Sequence, residues 1–405
     1  MRILIVGAGI AGPTLAHWLR RSGHEVTLVE QAPAPRAGGY LIDFWGAGFE
    51  VAERMGLVPR LLERGYQFRE VREVLASGRT FAHFDPRPAI EGTDGRYVTI
   101  ARADLAAAIL DSLDGVETIF GDTVDALDDD GTRVRVRFAS GSEREFDLVV
   151  GADGLHSRVR SLAFAPGEVE IRDPGIAVAV FDVEGYRPRD ELVAVTRTQV
   201  GLQSLRVAMH DDGTMFCFTF RHDGQVHQLE EAGQRSLLRE RLAGVGWEVP
   251  AILERLPDAR SFYLDRAAQV LLPEWSRGRV ALVGDAAACP SLLAGQGSAL
   301  AMVEAYWLAT ALHAHPSDTS AALRAWHAQL AKVVRDKQDA AVGMGVAFAP
   351  KNRAQLVLRD AVLRLMGLPF VARRALRGSL RDPVELPPAP VASARAAGPR
   401  RSASG

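Results

Sequence analysis

Three observations predict an α/β fold. Residues 1–30 run strand, glycine-rich turn, helix, strand and acid. Two further short apolar strands, Phe146–Val150 and Val280–Val283, each lead into a glycine-containing loop, and from Ile176 to Phe220 the pattern becomes successive β segments. Together they predict a Rossmann-like nucleotide-binding domain on buried parallel strands, with an inserted mixed β-sheet domain and a C-terminal helical segment.

The first strand is Ile3–Val6, an apolar run too short for an amphipathic helix. Gly7, Gly9 and Gly12, with Ile10 and Ala11 between the last two, then give G-x-G-x-x-G. The first glycine makes the tight turn, the second lets a pyrophosphate approach the backbone, and the third lets helix and strand pack closely. Pro13 falls in the first helical turn, where its missing N–H costs nothing. Leu15, Ala16 and Leu19 mark the buried side of that helix, and Gly23 ends it. Val26–Val29 is the second strand, closed by Glu30, whose carboxylate can accept from the ribose hydroxyls of a dinucleotide.

A Pro/Gly-rich loop, QAPAPRAGGY, follows, and Gly46–Leu62 reads as helical. Glu70–Phe84 and Tyr97–Ile100 are β-like, Ala101–Leu113 returns to helical periodicity, and Val116–Phe120, Thr123–Leu127 and Val134–Phe138 are strand-like, the last two joined by an Asp-Asp-Asp-Gly turn. Beyond Phe146–Val150, strands are expected at Leu192–Thr196, Ser204–Met209 and Thr214–Phe220, the last two a hairpin through Asp211, Asp212 and Gly213. In its second strand Phe216, Phe218 and Phe220 share one face and Met215, Cys217 and Thr219 the other. The aromatic face suits either a packed core or the wall of an aromatic ligand's pocket. Gln228–Leu256 and most of Ser298–Asp382 read as helical, and Pro387–Gly405 is too rich in Pro, Ala, Ser, Gly and Arg to form a core.

With 405 residues, 47% hydrophobic and 24% charged, the chain can bury a sizeable core, and a formal net charge of −2 gives no field to attract nucleic acid. Cys217 and Cys289 are distant and show no metal-ligand spacing, so neither a disulfide framework nor a metal site is expected. The chain opens directly on a core strand and has no bilayer-length apolar run, which leads to the expectation of a cytoplasmic protein without membrane contact. Nothing sets the oligomeric state; a monomer is compatible with all of this.

Three separated segments resemble the fingerprints of the class A flavoprotein monooxygenases, the para-hydroxybenzoate hydroxylase family, over roughly residues 1–310. They are GAGIAG with Glu30; DLVVGADGLHSRVR, which holds Asp153, Gly154, Ser157 and Arg160; and Arg279–Gly297, which holds Gly284, Asp285, Gly295, Gln296 and Gly297. The resemblance implies FAD, with NAD(P)H as a transient co-substrate that reduces it. Oxygen then adds at flavin C4a, and the hydroperoxide hydroxylates an aromatic or polycyclic small molecule. It also implies that Arg102 and Arg36 contact FAD, that Asp153 and Gly154 serve FAD and nicotinamide, and that Asp285 and the 295–297 turn hold the flavin end. The implied FAD-binding domain comprises 1–70, 101–168 and 270–330. The substrate domain comprises 71–100 and 169–269, helices fill 331–386, and a disordered tail runs from 387 to 405.

The third segment departs from the family pattern, with Ala288 where many relatives have histidine and Ser291–Leu292 where paired prolines are expected. No catalytic side chain is assigned, because the flavin supplies the chemistry. Asp43 is the one candidate acceptor for a substrate proton, and capping of the next helix is its alternative role. Phe44, Trp45, Phe216, Phe218 and Met344 are candidate substrate contacts, and Gly343, Gly345 and Phe348 could close the pocket. Two alternatives stand beside hydroxylation: a dehydrogenase or reductase of the geranylgeranyl reductase type, and a non-catalytic protein on the same fold. Intact glycines in the flavin fingerprints argue against the latter.

Overall fold

Burial on both faces makes Ile3–Val6 a central strand. In the computed structural model, which describes residues 1–35, 40–376, 380, 382 and 384–392, these four side chains are at most 2% exposed. They lie on β1 (Arg2–Val6) within a six-stranded sheet. Its order is β19 (Ser276–Arg277), β20 (Val280–Leu282), β11 (Leu148–Gly151), β1, β2 (Glu25–Glu30) and β7 (Glu117–Phe120). All neighbours are parallel except β19. The strands expected from sequence at the three fingerprints thus stand side by side, and their C-terminal ends open on one edge, where ligands of such sheets bind.

A seven-stranded sheet forms the second layer. Its order is β17 (Ser261–Arg266), β13 (Ile176–Glu184), β16 (Gly213–Arg221), β15 (Leu202–Ala208), β14 (Val193–Gln199), β4 (Glu70–Val74) and β5 (Thr80–Phe84). Only the β14–β4 pair is parallel, so this is the mixed sheet expected. The β15–β16 hairpin turns through Asp211 and Asp212, both at φ 54. Smaller sheets pair β3 (Leu41–Trp45) with β6 (Tyr97–Ala101), β12 (Glu170–Arg172) with β18 (Gln269–Leu271), and β8 (Val124–Asp129) and β10 (Glu143–Phe146) with β9 (Val134–Phe138).

The helices are α1 (Ala11–Arg21), α2 (Ala47–Arg54), α3 (Val58–Arg64), α4 (Arg87–Ile90), α5 (Arg102–Asp111), α6 (Arg158–Ala163), α7 (Glu231–Leu242) and α8 (Val249–Arg255). The remainder are α9 (Asp285–Ala288), α10 (Gly297–Ala314), α11 (Thr319–Val342), α12 (Gly345–Phe348), α13 (Arg353–Met366) and α14 (Pro369–Leu376). The single helix expected over 46–62 is two, because Gly56 turns to φ 76 between α2 and α3. Phe146–Val150 is likewise split: Asp147 lies between β10 and β11, and its carboxylate accepts from the Arg2 amide at 2.7 Å.

Part of the tail expected to be disordered is held. The Pro387 carbonyl accepts from Tyr306 Oη at 2.8 Å, the Pro390 carbonyl from Ser22 Oγ at 2.7 Å, and the Ala392 amide donates to Arg21 O. Residues 393–405 lie outside the described residues. Among the described residues, no helix is long and apolar enough to cross a membrane.

Candidate functional site

The turn after β1 is a cradle that leaves no room for side chains. Gly7 sits at φ +110, and a Cβ there would lie 2.4 Å from the Ala152 carbonyl oxygen; one on Gly12 would lie 1.9 Å from the Gly7 carbonyl oxygen. Ile10 is the N-cap of α1 and offers no side-chain cap, and the helix begins at Ala11 with no acid in its first turn. Its N–H groups are therefore open to an anion. The Arg102 guanidinium stands over Gly9, 3.7 Å from where a Cβ would be. Glu30 fixes the wall of the same chamber, accepting from the Ala8 amide at 2.8 Å and the Ala32 amide at 2.9 Å.

Two chambers of one cleft meet here, of about 260 and about 430 Å³, and both are lined by Gly9, Arg102, Ala152, Asp153, Gly154 and His156. The smaller holds Gly7 and Glu30. The larger runs past Ile10, Ala11, Tyr40, Ile42 and Tyr263 to Asp285, Gly295 and Gly297. Asp153 shapes the shared wall by capping α6: its carboxylate accepts from Ser157 Oγ and from the Arg158 and Val159 amides. Gly154, at φ 81, then turns into the cleft. Arg160 links this loop to the third fingerprint, donating to Leu155 O at 2.6 Å and Ala286 O at 2.9 Å.

At the far end, α10 begins without a side-chain cap and without an acid in its first turn, and Gly297 and Ser298 face the cleft. An 18-residue helix presents there the positive end of its dipole. Asp285, Tyr40 and Tyr263 lie deep in the protein yet keep part of their surface on the cleft. Burial pushes the Asp285 carboxyl above the ordinary carboxylate range, opposed by the Arg102 guanidinium. Burial likewise pushes the Tyr40 hydroxyl up to about 12 and the Tyr263 hydroxyl well above its usual range. Ser291, in place of an expected proline, adopts φ 91 and donates to Ala267 O at 2.9 Å. Gln269 and Gln338 hold the Pro290 and Cys289 carbonyls. Ala288 is buried, away from the cleft, beside Trp275 and His327.

Several expected site residues lie elsewhere. Arg36 is outside the described residues. Gln296 turns from the cleft to accept from Lys337 Nζ at 2.5 Å. Asp43 is neither a cap nor a cleft residue: β3 continues through Trp45, the cap position of α2 is Gly46, and the exposed carboxylate accepts from Tyr97 and Thr99 hydroxyls, both at 2.6 Å. Phe44 is wholly buried against Phe49, and Trp45 packs by Lys337. Phe216 and Phe218 are buried in the core under α7 and α8, with Phe181 and Tyr186. Those helices cover the aromatic face of the sheet, so Met215 and Cys217 face the other way, toward Leu293 and Tyr40. Met344 is 37% exposed, at the junction of α11 and α12.

A third cavity, about 500 Å³, lies under α12 and α13. Val71, Ala82, Phe84, Gly343, Phe348 and Leu363 give it apolar walls, and Glu73, Thr196, Gln203 and Arg359 line it with polar groups. Glu73 accepts from Arg359 Nη2 at 3.0 Å, from Thr196 Oγ1 at 2.7 Å and from the Thr198 amide at 2.7 Å. Strand pairing puts Glu73 beside Thr196, Thr196 beside Leu205 and Leu205 beside Cys217, so this cavity and the cleft-facing residues share one face of the sheet. Gly343 and Phe348 line this cavity and not the cofactor cleft. Glu73, Gln203, Arg359 and Tyr263 carry no sequence motif. For Tyr263 the only signal is the alternation of Phe262 and Leu264, which pack under α7 and α8, with Tyr263 and Asp265, which face the cleft.

Comparison with known proteins agrees with this geometry. The family model described as FAD binding domain matches residues 1–339. A flavin-dependent monooxygenase from an unidentified prokaryotic organism is 34% identical over 310 residues, covering 76% of this chain and 80% of the relative. The crystal structure of the tetracycline destructase Tet(51) superposes with a TM-score of 0.82 at 28% identity, covering 95% of this chain and 99% of that one. That of Klebsiella pneumoniae HpxO complexed with FAD and uric acid gives 0.77 at 26% identity, covering 94% and 96%. The chain belongs to the FAD-binding-domain family and is an FAD-dependent monooxygenase of the class A flavoprotein type.

Proposed function

We propose that the substrate is a fused-ring small molecule with a polar edge, held between the flavin end of the cleft and the cavity under α12 and α13. The observation that carries this reading is that a largely apolar cavity of about 500 Å³, with a polar cluster on its sheet wall, shares a sheet face with the cleft. That volume lies within the range of small-molecule sites and suits three or four fused rings better than a single ring. One relative supports the size class, being named a tetracycline destructase, and another, crystallised with uric acid, supports a fused-ring ligand but a smaller one.

Bound FAD, reduced by NAD(P)H, supplies the oxygen activation and transfer. The chain's own residues bind and orient. Gly9, the α1 N-terminus and Arg102 would hold the pyrophosphate, and Glu30 the ribose. Asp285 would hold the ribityl chain, and the open N-terminus of α10 would stabilise negative charge on the flavin. Gly154 leaves space for the nicotinamide. Arg359, Glu73 and Gln203 hydrogen-bond the polar edge of the substrate, while Phe84 and Phe348 exclude water.

The test is NADH and NADPH oxidation by the yellow holoenzyme with fused-ring phenols, single-ring phenolic acids and purines. Mass spectrometry follows the gain of one oxygen. The expected result is stimulation and oxygen gain with a fused-ring compound, and an Arg359→Met variant whose KM for it rises at least about tenfold, the loss of one charge-assisted hydrogen bond, with kcat little changed. Stimulation confined to single-ring acids, or an unchanged KM in Arg359→Met, would overturn the reading.

A further inference from the structure

We infer that the protein carries a binding site for one divalent transition-metal ion, Zn²⁺ being the best match, formed by His156, His227 and Asp265 at the mouth of the cofactor cleft. The three residues come from separate parts of the fold. His156 lies on the loop between β11 and α6, His227 on the connection from β16 to α7, and Asp265 on β17. No spacing in the sequence links them.

One donor atom from each residue lies within 4.8 Å of the other two. His156 Nε2 is 2.9 Å from Asp265 Oδ2, and the His156 and His227 rings stack with centroids 4.3 Å apart. Asp265 is the fixed member: its side chain is 11% exposed and its other oxygen accepts from the Arg266 amide at 2.7 Å. Both histidines are exposed, and the His227 ring makes no hydrogen bond among the described residues. Its position against His156 and Asp265 is thus not explained by a hydrogen bond of its own.

Two imidazole nitrogens and one carboxylate oxygen, with a solvent side left open, are a donor set that Zn²⁺ takes with a water as fourth ligand. Ca²⁺ and Mg²⁺ need more oxygens than are gathered here. Bonds of about 2.0–2.2 Å in a tetrahedron require donors about 3.3–3.5 Å apart. The His156–Asp265 pair is already closer than that, so the cluster closes when the exposed His227 ring turns out of its stack. The ion then ties the 152–157 loop of the nucleotide sheet to the seven-stranded sheet. His156 lines both chambers of the cleft and Asp265 the larger one, so the tie slows exchange of FAD.

Neither the flavin cradle nor the proposed substrate pocket uses His227, so the inference stands apart from the substrate reading. The test is calorimetric titration of tag-free, chelator-treated holoenzyme with ZnCl₂, together with the FAD release rate with and without the metal. One equivalent should bind with a micromolar dissociation constant and slow FAD release. His227→Ala and Asp265→Asn should each weaken binding at least about tenfold, with flavin content unchanged in His227→Ala. Absence of saturable binding below about 100 µM, or full binding by His227→Ala, overturns the site.

Discussion

A single methyl group separates two glycines of the cofactor cleft. At Gly12 an added Cβ would lie 1.9 Å from the Gly7 carbonyl oxygen, a backbone atom that cannot move without opening the phosphate turn. At Gly154 nothing lies within 4 Å, and the obstacle is only the positive φ of 81°. Gly12→Ala should therefore purify with little or no flavin. Gly154→Ala should retain it and lose about 1–3 kcal/mol of stability, the cost of a non-glycine residue in that region. Flavin absorbance per mole of protein and thermal melts of both variants separate the two cases. Glu304 poses a titration question instead. It is 1% exposed and accepts from the Gly284 amide at 2.7 Å. Burial raises its carboxyl to about 8. The folded protein then keeps, up to about pH 8, a proton that the unfolded chain releases near its ordinary value of 4.5. Stability consequently falls as pH rises through that window, by an amount on the order of a few kcal/mol. Glu304→Gln should remove this slope and melt higher than the parent at pH 8. A parent and variant with equal slopes between pH 5 and pH 8 would show that Glu304 is ionised in the fold.

At the scale of the element, what was legible in the sequence is whatever a local pattern determines. β1, the glycine turn, α1 and Glu30 were readable because a buried parallel strand and a phosphate turn leave little freedom in residue type: Gly7 needs φ +110 and Gly12 needs contact with backbone. Alternation in β16 separated Phe216 and Phe218 from Met215 and Cys217, but the period of two says only that there are two faces. Which one meets the cleft is decided by α7 and α8, which cover the aromatic side. The polar cluster of Glu73, Thr196, Gln203 and Arg359 was not legible at all, since sheet order brings β4 beside β14 and the last helices fold over them. α13 itself has no buried residue and leaves Val357, Leu358, Val362 and Leu365 more than half exposed. It is fastened through Arg359 to Glu73 and Ala347 O and through Arg364 over the Phe81 ring. A roof with no buried residue, held over a large cavity by a few such ties, is the kind of segment that supplies the moving parts of binding sites.

At the scale of the whole molecule, the two large sheets meet across the cleft, joined there by the His156–Asp265 contact and by the packing of Tyr40 on Tyr263. Arg160 braces the Asp153 loop against α9 within the six-stranded layer, and from that loop His156 meets Asp265 on the seven-stranded sheet. FAD in this cleft would touch both layers: Gly7, Glu30 and Arg102 come from one side and Tyr263 from the other. A ligand that binds only the folded state at a concentration a hundredfold above its dissociation constant adds about 2.7 kcal/mol. If one sheet held the cofactor alone, that gain would appear in amide exchange of the nucleotide sheet only. With both layers in contact it should appear in both, as slower exchange in the Gly7–Gly12 turn, in the Asp153–Ser157 loop and in β17. The measurement is hydrogen–deuterium exchange of the apoprotein before and after FAD is added back. Protection confined to the first two segments, with β17 unchanged, would mean that the substrate sheet docks without the cofactor and that its edge reaches the flavin only when substrate is bound.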